Sequence, residues 1–149
     1  MYKKILVPLD GSKRAESILP YVEDLAHCFG SQVILLHVVE PCFSSLGPHS
    51  TQFDFDNKLN EQRELEARKY LAGLQGEFRE KKINTRACVE RGSVLGNINV
   101  VIERENPDLI AIASHGRTGL PRIIYGSIAA GVLHQVEQPL LLIRTDGEF

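Results

Sequence analysis

Cysteine is sparse in this chain. Cys28, Cys42 and Cys88 are scattered and odd in number, with no Cys-x-x-Cys pair and no histidine at metal-ligand spacing. A disulfide framework and a zinc knuckle are not supported, and the three read as thiols in a reducing compartment. Cys28 on a helix and Cys88 in a strand are expected to be small buried hydrophobes, and Cys42 in a loop is the one candidate for reactivity. No apolar run approaches the roughly twenty residues of a membrane span. Met1 leads directly through Tyr2-Lys3-Lys4 into a strand pattern with no small-residue cleavage site, so the expectation is a cytoplasmic protein away from the membrane. A net charge of −2 argues against nucleic-acid binding through a broadly basic face. There is no Gly-Lys-Ser or Gly-Lys-Thr for a Walker A loop, no Gly-x-Ser-x-Gly elbow, no paired carboxylates and no metal cluster. Efficient catalysis is therefore not expected. No internal repeat, low-complexity tract or composition break divides the 149 residues, which read as one domain, 1–149. A chain of that size buries roughly two-thirds of its unfolded surface.

What is present is a regular alternation of strand and helix patterns. Lys4 to Leu9 is almost wholly apolar after the lysines, as a strand buried on both faces should be, and Pro8 belongs at its end because it has no amide donor. Ser12 is a helix N-cap; Ile18, Val22, Leu25 and Phe29 form one helix face, and Gly30 stops the helix. Gln32 to Val39 is a second apolar strand. Glu40 to Asp56, broken by Pro41, Gly47 and Pro48, reads as a long loop, either plain disorder or a lid over the sheet edge. Asn57 to Lys82 is the longest helical pattern, with Ala67, Leu71, Leu74 and Phe78 in register. Asn84 to Glu90 alternates Thr85, Ala87 and Val89 against polar residues, as an edge strand does. A helix with Val94, Ile98, Val101 and Ile102 inward follows Ser93. The strand Leu109 to Ala113, a last helix with Ile128, Val132, Leu133 and Val136 inward, and a strand from Pro139 complete the series. Five strands alternating with four helices pair in parallel through right-handed crossovers, giving a doubly wound α/β fold with an open sheet.

The stretch Asp108 to Ile128 carries the chemistry. An apolar strand runs into a loop bearing Gly116 and Gly119, and Gly126-Ser127 opens a helix. Glycines let a backbone approach a ligand closely. The free amides and positive dipole end of a helix start favour phosphate, and Ser127 adds a hydroxyl there. Arg91, Arg117 and Arg122 read as solvent-facing cations, His115 as a loop-shaping residue and His37 as a satisfied core histidine.

Ala113-Ser114-His115-Gly116, nine residues, then Gly126-Ser127 resembles the nucleotide-binding pattern of the universal stress protein family, Gly-x2-Gly followed nine residues later by Gly-Ser or Gly-Thr. Val7-Pro8-Leu9-Asp10-Gly11-Ser12, His37-Val38 and Pro139 to Arg144 extend the likeness over nearly the whole chain, and Ala113 stands where the family has glycine. The resemblance, to the single-domain, ATP-binding branch, implies a Rossmann-like adenine nucleotide alpha hydrolase-like fold with strand order 3-2-1-4-5. Strands 1 and 4 then flank the topological switch point, where open α/β sheets take ligands. It further implies ATP, with Mg2+ carried on the phosphates. Pro8, Asp10 and Val38 would surround adenine and ribose, Ile112 and Ala113 would line the nucleoside, and Gly116, Gly126, Ser127 and Ile128 would contact phosphate. Homodimerisation through the edge strand Leu140 to Ile143 and an unknown protein partner are also expected. The function implied is an ATP-binding stress-response regulator. The alternatives are a nucleotide-independent dimeric interaction protein of the same fold and an adenylate-chemistry enzyme on a related one.

Overall fold

Residues with branched apolar side chains and no room for alternation form the inner strands, and their amphipathic crossovers cover both faces. The computed structural model of the chain describes the backbone of residues 1–42, 50–116 and 127–146, with the side chains of those ranges apart from 50–55, 115–116 and 146. Five strands, β1 (Lys4–Leu9), β2 (Gln32–Val39), β3 (Thr85–Arg91), β4 (Leu109–Gly116) and β5 (Leu140–Asp146), form one sheet in the order β3-β2-β1-β4-β5. All four neighbouring pairs are parallel. The crossovers are α1 (Lys13–Glu16) with α2 (Leu19–Phe29), α3 (Ser50–Glu80), α4 (Val94–Glu105) and α5 (Ser127–Gln135).

Side chains of successive strand residues point to opposite faces, and the sheet accordingly divides two cores. Ile5, Val7 and Leu9 pack with Val33, Leu35, Val22, Leu71 and Phe78 on the α2/α3 side. Leu6, Ile34, Leu36, Ile110 and Ile112 pack with Ile98, Val101 and Val132 on the α4/α5 side.

The first crossover is not one helix. α1 ends at Glu16, with Ser17 as its C-cap, and α2 starts at Leu19 with Pro20 in its first turn. In a continuous helix the Pro20 ring would clash with the Glu16 carbonyl and leave it unpaired. Within α2 the buried set is Leu19, Val22 and Ala26; Phe29, expected inward, is 42% exposed and meets Tyr2 edge-on with ring centroids 5.4 Å apart. Gly30 ends the helix in the left-handed conformation at φ 63°, as expected.

The helix expected from Asn57 begins at Ser50, so the segment Ser50–Asp56 is helical rather than part of a loop. After Pro48 no glycine or proline interrupts the chain before Gly73, and nothing in that stretch opposes a helix. The expected lid over Glu40 to Asp56 is thus shorter than its sequence suggests, and 43–49 lie outside the described residues. Gly73 and Gly76 lie within α3 where a side chain at either would meet nothing within 4 Å, so no close approach demands glycine there.

In β3 the buried residue is Cys88, packed on the α4/α5 core, while Ala87 is exposed. The expected inward set of Thr85, Ala87 and Val89 faces α3, which covers this edge strand incompletely. Cys28, expected buried, is exposed, as is Cys42. In α5 Ala129 and Val132 are buried and Leu133 is 49% exposed. β4 extends to Gly116 because Ser114, His115 and Gly116 pair with Arg144, Thr145 and Asp146 of a longer β5, so Ser114 and His115 belong to a strand end rather than a loop.

His37 packs edge-on against Tyr70 of α3 with centroids 5.9 Å apart, yet its buried Nδ1 has no hydrogen-bond partner among the described residues. It is a packed histidine, not a satisfied one. Burial holds its pKa below the ordinary value; the Asp10 carboxylate opposes this and Arg63 reinforces it. Between the folded value and the unfolded value of about 6.5 the unfolded chain binds more protons, so the contribution is complete above about pH 6.5 and is lost as pH falls. Replacing His37 with Phe should therefore reduce the drop in urea midpoint between pH 7.5 and pH 5.5; an unchanged drop would reject the assignment. Truncating the fully buried Leu71 to Ala should cost about 2–5 kcal/mol in urea unfolding, and a loss below about 1 kcal/mol would show that α3 is not anchored there.

Candidate functional site

The site begins with a missing hydrogen. The Lys3 carbonyl accepts from Gln32 on the β2 side, and the Lys4 carbonyl accepts from Asp108 on the β4 side. Alternate residues along β1 therefore turn their backbone groups to opposite neighbours, and those facing β4 are Lys4, Leu6 and then Pro8. Pro8 has no amide hydrogen to donate. The β1–β4 pairing consists of Ile5 with Leu109 and Leu6 with Ile110 and stops there, whereas β1 stays paired to β2 as far as Leu9 with His37. β4 stays paired to β5 as far as Gly116. A crevice opens between the carboxyl ends of β1 and β4, at the point where strand order reverses.

A cavity of about 160 Å3 occupies that crevice. Of the residues singled out from sequence, Pro8, Asp10, Val38, Ile112, Ala113, Ser127 and Ile128 all line it. Gly116 ends β4 above them, paired with Asp146. Gly126, with Gly119, Arg117 and Arg122, lies outside the described residues. Sequence reasoning missed Leu36 and Val94, which extend the apolar wall, and Ser114, which follows Ile110 and Ile112 on the same face of β4. A serine in phase with two buried isoleucines was the available signal.

Asp10 sits where β1 passes into α1, and local hydrogen bonds hold its carboxylate. Its Oδ1 accepts from the Ser12 amide at 2.9 Å and the Ser12 hydroxyl at 2.5 Å. Its Oδ2 lies 3.3 Å from the Arg14 guanidinium. The Ser12 oxygen in turn accepts from the Ala15 amide, capping α1. Gly11, at φ +86°, supplies the backbone conformation that brings Ser12 back over Asp10. Burial acts to raise the Asp10 pKa, but the two Ser12 bonds and Arg14 outweigh it and hold the carboxyl below its ordinary value. It is an anion at neutral pH.

Ser114, which also lines the cavity, is 2% exposed, and its buried Oγ has no hydrogen-bond partner among the described residues. Its carbonyl accepts from the Thr145 hydroxyl at 3.0 Å, which fixes the strand end. Ala113, which stands where the family pattern given above has glycine, packs against the core on the α2/α3 side. Ser127 is exposed at the first residue of α5, whose opening amides point away from the helix body. Arg91, at another strand end, is paired with Glu64 at 2.6 Å. Among the described residues no group of three His, Cys, Asp or Glu side chains could hold a metal ion. The arrangement thus offers an apolar lining that includes Val38 and Ile112, the Asp10 carboxylate, and a helix start at Ser127.

The family model described as the universal stress protein family matches residues 1–144. Universal stress protein MJ0577 of Methanocaldococcus jannaschii is 30% identical over 155 aligned residues, covering 97% of this chain and 96% of that protein. The solved structure of MJ0577 aligns with a TM-score of 0.81 at 28% identity over 99% of each chain. UspA from Lactobacillus plantarum shares the fold at a TM-score of 0.79 and 20% identity, covering 96% of this chain and 98% of that one. A universal stress protein family protein from Arabidopsis thaliana, solved with AMP bound, shares the fold at a TM-score of 0.66 and 18% identity, covering 97% of this chain and 93% of that one. The length of the match, the strand order and the crevice agree: the chain belongs to the universal stress protein family.

Proposed function

We propose that the protein is an ATP-binding stress-response regulator that holds its nucleotide without efficient turnover. The observation that carries this is the crevice itself, in which seven residues from four separate stretches of sequence, Pro8, Asp10, Val38, Ile112, Ala113, Ser127 and Ile128, meet around one cavity. Its polar groups fit an adenine nucleotide: an apolar slot for the base, a carboxylate and a hydroxyl near the sugar, and helix amides for phosphate. The AMP-bound Arabidopsis protein of the same fold supports the ligand class.

In this proposal Val38 and Ile112 flank the base, and Asp10 accepts hydrogen bonds from the nucleoside. Gly116, Gly126, Ser127 and Ile128 bound the phosphates, through backbone amides and the Ser127 hydroxyl. Mg2+, where present, would be held chiefly by the phosphates, since the described part of the cavity presents one carboxylate, Asp10. The Ala113 methyl is accommodated because it packs against the opposite core. ATP would supply a signal by binding one conformation of the β4–α5 region more tightly than another, which a protein partner then reads. The β5 edge, which has no neighbouring strand beyond it among the described residues, is the proposed homodimer contact.

Titration calorimetry of nucleotide-stripped protein should show micromolar or tighter ATP binding that Val38→Trp, which fills the slot, weakens at least a hundredfold. Ala113→Gly should change affinity less than tenfold. A folded wild type that does not bind ATP would move the protein to the nucleotide-independent class. Turnover of Mg-ATP should stay below about one per minute; faster hydrolysis that is lost with Val38→Trp would overturn the non-catalytic assignment. Light scattering at micromolar concentration should give a dimer mass, and a monomer would remove the β5 contact.

A further inference from the structure

The described sheet has two edges. β5 is the proposed contact with a second copy, which leaves β3 as the edge open to other chains. The Val33 amide donates to the Asn84 carbonyl, and the Gly92 amide donates to the Val39 carbonyl. Alternate residues of a strand turn their backbone groups to opposite sides, so Arg86, Cys88 and Glu90 bond to β2 while Thr85, Ala87, Val89 and Arg91 face outward. The ends of that outward row are closed. Gln75 of α3 donates to the Thr85 carbonyl at 2.9 Å, and Asn97 of α4 donates to the Arg91 carbonyl at 3.1 Å. Between them the outward amides and carbonyls of Ala87 and Val89 have no partner among the described residues.

Sheet edges are commonly guarded by charged side chains, prolines or bulges. Here the open window reads Ala87-Cys88-Val89, and the charges flanking it are tied to α4: Arg86 lies 3.2 Å from Glu105, and Glu90 lies 2.9 Å from Arg104. A cavity of about 480 Å3, larger than the crevice, follows the strand at this point. Residues 86–90 line it from both faces of the sheet, with Arg104 on one side and Arg68, Ala72 and Gln75 of α3 on the other. Ala87, Arg68 and Ala72 are exposed.

Two contacts register α3 against β3. Gln75 meets Thr85, and Glu64 meets Arg91 at 2.6 Å, so helix and strand run in opposite directions. The seven residues from Gln75 back to Arg68 span about 10 Å of helix, and the three from Thr85 to Cys88 span about 10 Å of strand. Arg68 therefore stands beside the window. Arg86 and Arg104 share the carboxylates of Glu90 and Glu105, whereas Arg68 has no ion pair among the described residues. The positive charge left over at the trough is that of Arg68.

We propose that the β3 edge is a docking site for an extended, acidic segment of a partner protein, which adds a strand beside Ala87 and Val89 and sets an Asp or Glu side chain against Arg68. Main-chain hydrogen bonds supply the affinity of such strand addition, and the side chains alongside supply selectivity. The site is separate from the nucleotide crevice and does not depend on it.

The probe is a fluorescein-labelled, capped octapeptide alternating valine and glutamate, compared with its valine–lysine counterpart by anisotropy against the whole chain. Wild type should bind the glutamate peptide at least about threefold more tightly than the lysine peptide, the effect of one exposed ion pair. Arg68→Glu, on an exposed helix face, should abolish or reverse that preference. Hydrogen exchange reads the backbone: in the free protein the Ala87 and Val89 amides should exchange faster than those of Arg86 and Cys88, and the glutamate peptide should slow them. N-methylating alternate peptide amides in the two possible phases should spare binding in one phase and remove it in the other. No binding at millimolar peptide, a preference unchanged in Arg68→Glu, exchange at Ala87 and Val89 that the peptide leaves unaltered, or equal behaviour of the two methylated phases would overturn the proposal. Exchange at those two amides that slows with rising protein concentration alone would overturn it too, by giving the edge to a second copy.

Discussion

The parting of β1 from β4 is the event on which the rest of the site depends. An inner parallel strand ordinarily bonds to a neighbour on each side, and β1 does so only as far as Leu6 on the β4 side. Pro8 is the next residue due to donate across that seam, and it cannot. From there β1 follows β2 while β4 follows β5. The two halves of the sheet separate with their apolar side chains already placed along the walls. Neither strand pays for the separation with its whole ladder, because each keeps its outer neighbour.

Everything polar in the crevice is positioned from the two lips of that opening. On one lip Asp10 is held by Ser12, which is itself held by the first turn of α1, so the carboxylate and the helix cap form one unit. On the other lip Ser114 is fixed by β5 through pairing and through Thr145. The long helix α3 and the packed pair of His37 and Tyr70 lie under the α2/α3 face and support β2, whose Val38 faces the cavity. The described part of the site therefore stands on strand ends and short caps, which favours a fixed geometry there.

Much of this was legible in the sequence, for physical reasons that differ by element. The near-continuous apolar runs of β1, β2 and β4 identify strands buried on both faces, and their spacing by helical patterns fixes parallel pairing. The strand order came from family resemblance, since periodicity says nothing about which strands are neighbours. Asp10-Gly11-Ser12 was recognisable because turn chemistry is local. The break at Pro20 was readable in principle but was masked by the good four-three-four spacing of Ile18, Val22, Leu25 and Phe29. The early start of α3 at Ser50 was hidden because Pro41, Gly47 and Pro48 marked the region as irregular and the helical pattern after them is weakly amphipathic. Cys88 was assigned to the right environment but its strand to the wrong buried face, because an edge strand half covered by one helix alternates imperfectly. Ser114 is legible in the sequence as part of a motif rather than as a side chain; its burial with no partner among the described residues is a three-dimensional fact with only a faint trace in the sequence.

The claim most exposed to test is that an adenine nucleotide occupies the β1–β4 crevice. A crystal structure of the protein grown with ATP addresses it directly. The base is expected beside Val38 and Ile112, the sugar beside Asp10, and the phosphates toward Ser127. Nucleotide bound elsewhere, or a crevice that stays empty in crystals grown at saturating ATP, would contradict it.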